Sequence, residues 1–486
     1  MVVNAQINGN NNTGILAGNM YSNSSAVKCS TSGLINTTES NIGGLVGAAS
    51  SLFVDSCFST VTINATGTEL VADVGGLIGQ LNSGTIVRSG VEADISASNY
   101  KSVGALIGFC AGSTVELSRA TGSLEGEEMI GGFIGYGSYC TFDSCFTDAS
   151  VHSTGSACGG FGGFLNNCEI NDTYSFGDVS STGYGDIGGF AGLTSFSNYR
   201  QSFSNSKVES SSTYTGGFIG EAQQGTVIGN CYATGAVHCI DDYAGGFIGL
   251  SNTVSNIFNC YSTGKVSGTG IKGGFAGYNS YGPIIDCFWD VESSENTIAV
   301  GYNAGDIPQY LSGKNTSEMK DVITFTNLAG GELSESWDFV DNPYNDESDD
   351  DIWDIHPDVN NGYAYLSAVF PPEITNSIFQ IYDSNKENET QLFVYPNPWS
   401  SSQDNINLTL KSVRFESGNY TVSLIDVYGR ICQQEVLLIQ GNSICAGETH
   451  FSFYFKNKQI ESGIYFVVLR KQSKIISRVK LVVYRD

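Results

Sequence analysis

The sequence predicts an all-β chain: a β-solenoid of about ten coils of ~28 residues, followed by a small β-sandwich. Three observations predict it. A glycine-framed apolar block recurs at an even period, a row of small alternating residues follows each block, and the C-terminal segment reads as short alternating strands. The last glycine of each block, from GILAG and GGLVG to GGFIG and GGFAG, falls at Gly18, Gly47, Gly79, Gly108, Gly135, Gly163, Gly192, Gly220, Gly249 and Gly277. The spacings are 29, 32, 29, 27, 28, 29, 28, 29 and 28 residues. A unit of this length cannot bury an apolar face by itself, so its copies must stack.

The strand of each repeat comes eleven residues past the last glycine, as in Gly249 and Cys260. Strict alternation puts Cys260, Ser262, Gly264 and Val266 on one side, and Asn259, Tyr261, Thr263 and Lys265 on the other. Equivalent rows are Cys231, Ala233, Gly235 and Val237, or Cys145, Thr147, Ala149 and Val151. The small row is expected to face inward. Within GGFIG, one of Phe247 and Ile248 is expected to fill the interior while the other meets a neighbouring surface. The flanking glycines are expected to turn each coil, through positive φ or close backbone approach. Strands stacked ~4.8 Å apart would make a rod roughly 48 Å long.

Cys29, Cys57, Cys145, Cys231, Cys260 and Cys287 share one slot with Ser89, Ser118, Thr173 and Ser202. That interchange asks for a small side chain. Free buried thiols are expected there, because residues stacked in register hold their Cβ atoms farther apart than the ~3.8 Å of a bridge. Cys432 and Cys445 are the pair to test for one. Thirteen cysteines leave at least one unpaired within the chain.

Composition narrows the function. The net charge is −27; residues 389–486 hold 11 Lys+Arg and 8 Asp+Glu (+3), leaving 11 and 41 (−30) for residues 1–388. So acidic a body argues against nucleic acid or an anionic membrane as partner. No run of 18 apolar residues predicts a membrane span.

The blocks, together with NCYATGAV and NCYSTGKV, resemble the Glug motif of bacterial surface proteins over residues 1–290. The resemblance implies a β-helical stalk at a cell surface and no single activity. Residues 291–370 resemble the usual end of such arrays. With Trp289, Trp337 and Trp353 nearby, they are expected to cap the last open coil, and Asn315 with Glu318 to cap a helix within it. Pro371, Pro372 and SNKENET read as an exposed linker over 371–388.

Residues 389–486 read as short antiparallel strands in a sandwich. Their motifs are YPNP (Tyr395, Pro396, Asn397, Pro398), GNYTVSLIDVYGRI with Gly429, and a closing pair with Gly463, Tyr465 and Lys480. They resemble the C-terminal sorting domain of type IX secretion cargo. That resemblance implies the type IX secretion machinery as partner, and an extracellular or outer-membrane-attached location in a Gram-negative bacterium. The opening MVVNAQINGNNNTG lacks the charged and apolar pattern of an export signal, so the natural start is expected upstream.

Chemistry is sparse in the sequence. His152, His238, His356 and His450 lie far apart and belong to no HExxH, and no GxSxG precedes a helix. Glu127 with Glu128 and Asp241 with Asp242 invite comparison with β-helical polysaccharide lyases, but they fall in turns without clustered Lys or Arg. A carbohydrate-active β-helix enzyme is therefore the alternative reading, with no catalytic residue assigned and no cofactor expected. The run DNPYNDESDDDIWD offers Asp346, Asp349, Asp350 and Asp351 to calcium, yet lacks the glycine and spacing of an EF-hand loop, so a solvated insert is expected. The candidate binding surface is the outward ladder Phe146, Tyr174, Phe203, Tyr232, Tyr261 and Phe288. Such a ladder supports itself structurally by default; if exposed, it is a platform for a glycan or for a host or bacterial surface protein. The expected function is a secreted adhesin or structural stalk.

Overall fold

Each repeat lies directly on the one before it. A computed structural model describes residues 2–367 other than 10, 39, 68–72, 253–254, 306–307, 341–350, 356 and 358, and describes residues 391–484 through backbone strands only. The chain forms two units, Met1–Val369 and Phe370–Asp486.

One coil of the first unit has four faces. It runs from a long face (Phe58–Ala65) through a second (Asp73–Gly75), a third (Ile78–Asn82) and a fourth (Thr85–Val87), and then climbs to the next long face (Gly90–Ala97). Every face continues into a parallel sheet, of 10 strands on the second, 11 on the third and 10 on the fourth. The long-face sheet counts 16 because later long strands divide in two, as at Tyr174–Ser175 and Val179–Ser181. Equivalent residues therefore form columns. In the core, neighbouring rings of Phe133, Phe161, Phe190, Phe218, Phe247 and Phe275 follow one another at 4.6 to 5.1 Å.

The corners differ from expectation in one way. Phe247 and Ile248 are both fully buried in the same core, because the chain bends between the second and third faces and turns consecutive side chains inward. Of the two roles expected for the block glycines, close backbone approach is the one observed, and positive φ is not. They let one coil approach the next: a Cβ on Gly246 would stand 2.2 Å from the Gly274 carbonyl oxygen. The left-handed turn into the long face is made by Lys28, Ser56, Arg88, Leu117, Ser144, Asp172, Gln201, Asn230, Asn259 and Asp286, with φ between 48° and 55°.

The next residue in each coil is the Cys/Ser/Thr slot, whose demand goes beyond size. Ser89 Oγ donates to the Val87 carbonyl at 2.9 Å and accepts from the Cys57 amide at 3.1 Å, and Ser118 Oγ accepts from the Ser89 amide. A thiol does the same less strongly, with Cys57 Sγ accepting from the Cys29 amide at 3.3 Å. The slot thus pairs corner backbone groups that would otherwise be buried without partners. Across the interior, Thr147, Ser175 and Ser262 donate to the carbonyls of Gly132, Gly189 and Gly274.

The end of the array also differs from expectation. Trp289 occupies the column position of Ser262 and is buried, so the plug of the last full coil comes from inside the coil. Val300–Asn303 and Leu311–Lys314 add a partial turn beyond it. The described residues of 315–367 then pack along the flank of the long face, where Met319, Phe325, Trp337, Phe339, Trp353 and Leu366 share one buried cluster with the outward aromatic column. Their first turn carries the expected box: the Glu318 amide donates to Asn315 Oδ1 and the Asn315 amide to Glu318 Oε2, both at 2.9 Å.

In the second unit, Gln391–Tyr395, Asn405–Ser412 and Gly447–Tyr454 form an antiparallel sheet. Trp399–Ser400, Lys474–Tyr484, Gly463–Lys471, Gly418–Asp426 and Ile431–Ile439 form a second sheet, antiparallel except where Trp399–Ser400 runs parallel to Lys474–Tyr484. The linker expected over 371–388 and the side chains of Cys432 and Cys445 lie outside the described residues.

Candidate binding surfaces

The predicted ladder exists, and most of it is covered. Phe146, Tyr174, Phe203, Tyr232 and Tyr261 stack at 4.6 to 5.3 Å with ring planes within 11° of parallel, and Phe288 follows in register. The flanking segment seats Trp353 6.1 Å from Tyr232 and 6.0 Å from Tyr261, and it packs Phe325 and Trp337 on Phe288. Trp353 Nε1 donates to Asn230 Oδ1 and Trp337 Nε1 to the Asp286 carbonyl, so two left-handed corner residues anchor it. Tyr261 donates its hydroxyl to the Ala364 carbonyl at 2.5 Å, and Tyr363 donates to Asp290 Oδ2 at 2.7 Å. Phe203, Tyr232, Tyr261 and Phe288 retain at most 2% exposure, so the condition for a platform fails at these four; Phe146 and Tyr174 stay half-buried.

A second outward aromatic column lies on the third face, at the residue after each block. It runs Phe109, Tyr136, Phe164, Leu193, Glu221, Leu250, Tyr278 and Tyr302 in register. Beside it, the second face presents Asp186, Tyr214 and Tyr243. The rings converge at this edge, with Tyr214 5.8 Å from Tyr243, Tyr243 5.3 Å from Tyr278, and Tyr278 edge-on to Tyr302 at 5.1 Å. Tyr302 is 49% exposed, and Tyr214, Tyr243 and Tyr278 are half-buried. Burial, and then the charge of and hydrogen bond with Glu221, push the Asp186 carboxyl well above the usual range. The edge therefore combines flat apolar ring surface with hydroxyl and carboxyl groups able to donate and accept, a mixture suited to a polar ligand with apolar faces. The signal in the sequence was the aromatic after the block's last glycine, as in Gly277 and Tyr278.

The remaining candidates do not assemble. His152 Nδ1 meets Ser180 Oγ at 2.9 Å and His238 Nδ1 meets Ser267 Oγ at 3.0 Å, one coil apart in each case, while His356 and the His450 side chain lie outside the described residues. Glu128 pairs with Lys101 at 3.1 Å, and Asp241 and Asp242 are exposed. Asp346, Asp349 and Asp350 lie outside the described residues; Asp351 is half-buried, its carbonyl accepting from Ser367. Among the described residues, no group of three His, Cys, Asp or Glu is placed to hold a metal, and no helix is long and apolar enough to cross a membrane. Of the sorting-motif residues, Tyr395 ends a strand, Gly463 and Tyr465 begin the Gly463–Lys471 strand, and Lys480 pairs with Phe466 in its neighbour. Pro396, Asn397, Pro398 and Gly429 lie outside the described residues.

Comparison with known proteins adds three findings. The family model described as the secretion system C-terminal sorting domain matches residues 393–484, and that of the GLUG motif matches residues 211–237. Halomucin of Haloquadratum walsbyi is 35% identical over 170 residues, which cover 31% of this chain and 2% of halomucin's length. No solved structure gives a significant match.

Proposed function

We propose that this chain, which carries the GLUG motif and a type IX sorting domain and is therefore a secreted, extracellular or cell-surface protein, acts as an adhesive stalk that engages glycans along its tyrosine edge. The observation that carries this reading is the convergence of Tyr214, Tyr243, Tyr278 and Tyr302 beside Asp186 and Glu221 on a surface that, among the described residues of the first unit, nothing covers as the long-face ladder is covered. A sugar ring presents C–H faces to aromatic rings and hydroxyls to carboxyl and phenol groups, and this edge supplies both. In this reading the C-terminal sheets form the sandwich that the secretion machinery recognises, and delivery is to a Gram-negative outer membrane.

A glycan array probed with the full chain tests the edge. Tyr278→Ala and Tyr302→Ala are each expected to weaken the strongest hits about tenfold, which is ~1.4 kcal/mol. Tyr21→Ala, at a tyrosine 53% exposed in the first coil, is expected to leave them unchanged. Undiminished binding by both edge variants would remove this surface from consideration.

A second reading draws on the same edge. A carboxyl that holds its proton beside another is the arrangement of a general acid, so a carbohydrate-active enzyme here would use Asp186 and Glu221. Reducing-sugar release from a bound glycan, abolished by both Asp186→Asn and Glu221→Gln, distinguishes it from simple binding.

A further inference from the structure

Three buried thiols meet inside the third face. Cys110 lies on the strand Ile107–Ala111, Cys140 in the corner after Ile134–Ser138, and Cys168 one coil further; none is more than 1% exposed. Stacked cysteines in one column are too far apart to bridge, but Cys110 and Cys140 belong to different columns. Strand register places Gly137 opposite Cys110. A Cβ at Gly137 would stand 3.0 Å from Leu165 and 3.4 Å from Cys168 Sγ, so the space beside Cys110 is filled by the next coil, and Cys140 reaches Cys110 from the corner. The two sulfurs stand 3.0 Å apart, about 1 Å beyond the ~2.05 Å of a disulfide.

We propose that Cys110 and Cys140 are a disulfide site, oxidised in the exported protein before the two coils close over them. This rests on the secreted reading above, since an oxidising compartment sustains such a bond. The oxidant is a disulfide-bearing protein or small molecule. The Cys140 thiolate attacks one oxidant sulfur and displaces the other as a thiolate; the Cys110 thiolate then attacks Cys140 Sγ and expels the first. One S–S bond forms, one breaks, the two protons of the cysteines pass to the oxidant's sulfurs, and the oxidant takes up two electrons. Either cysteine can attack first, because the thiol contacts among Cys110, Cys140 and Cys168 form only once the coils have closed. The bond ties two successive windings of the stalk together at the third face.

Peptide mapping without reduction tests the pair. Cleavage after acidic residues puts Cys110 in 95–116, Cys140 in 129–143 and Cys168, with Cys158, in 149–169. Full-length chain, both shed from cells and refolded with glutathione disulfide, is expected to yield 95–116 joined to 129–143, two hydrogens lighter than the separate peptides. The joined species is expected to vanish on reduction and in Cys110→Ser and Cys140→Ser, and to persist in Cys168→Ser. Recovery of both peptides as free thiols from the refolded chain, or of Cys140 joined to 149–169, overturns the proposal. A linked refolded chain beside a reduced cell-derived one supports the pair and counts against the extracellular reading instead.

Discussion

Leu117 illustrates what the corner demands of one residue. It adopts φ 49° where other coils use Asn230 and Asn259, and half of it faces solvent, so its Cβ bears the left-handed penalty without burial in return. Leu117→Asn is expected to stabilise the chain by about 1 kcal/mol, seen as a higher urea midpoint. The buried carboxyls act in the opposite direction. Burial pushes Asp73 up to about 7 and, with Asp143 near it, Asp172 to about 6; Asp186 rises through burial and Glu221. A raised carboxyl binds its proton more tightly folded than unfolded, so its contribution is complete below about pH 4 and is lost as pH climbs through the folded value. The urea midpoint is therefore expected to fall between pH 5 and pH 8. Asp186→Asn should flatten that slope, and an unchanged slope would assign the effect to the general repulsion of a −27 chain.

At the scale of elements, the strands were legible and the flank was not. Alternation identified the inward row because a strand's side chains alternate whatever it packs against. It also named the aromatic column correctly as outward. Outward from a coil is not outward from the protein, however, and the rings are covered by a segment distant along the chain: Tyr261 donates to Ala364, 103 residues on. Trp353→Ala is expected to cost about 3 to 5 kcal/mol within the flanking segment. It should also expose residues 315–367 to limited proteolysis while the coils remain resistant. Cleavage within the coils at the same rate would show that flank and solenoid unfold as one.

At the scale of the molecule, stacking makes the repeats of the first unit nearly one-dimensional, each coil bonded chiefly to its neighbours. Deleting Ala48–Gly79, the 32 residues between equivalent glycines, is expected to leave a shorter rod with native strand content by circular dichroism and a lower unfolding midpoint. Deleting half that length should abolish folding, because every later column would lose its register. The period, the inward row and the Cys/Ser/Thr slot were readable in the sequence alone, since a repeated local environment imprints the same residue types at the same spacing. Tertiary structure decided which outward surfaces stay open, that Trp289 plugs the coil from within, and that Cys140 meets Cys110. Those outcomes depend on contacts between different columns and between distant segments, where no periodic spacing links the partners.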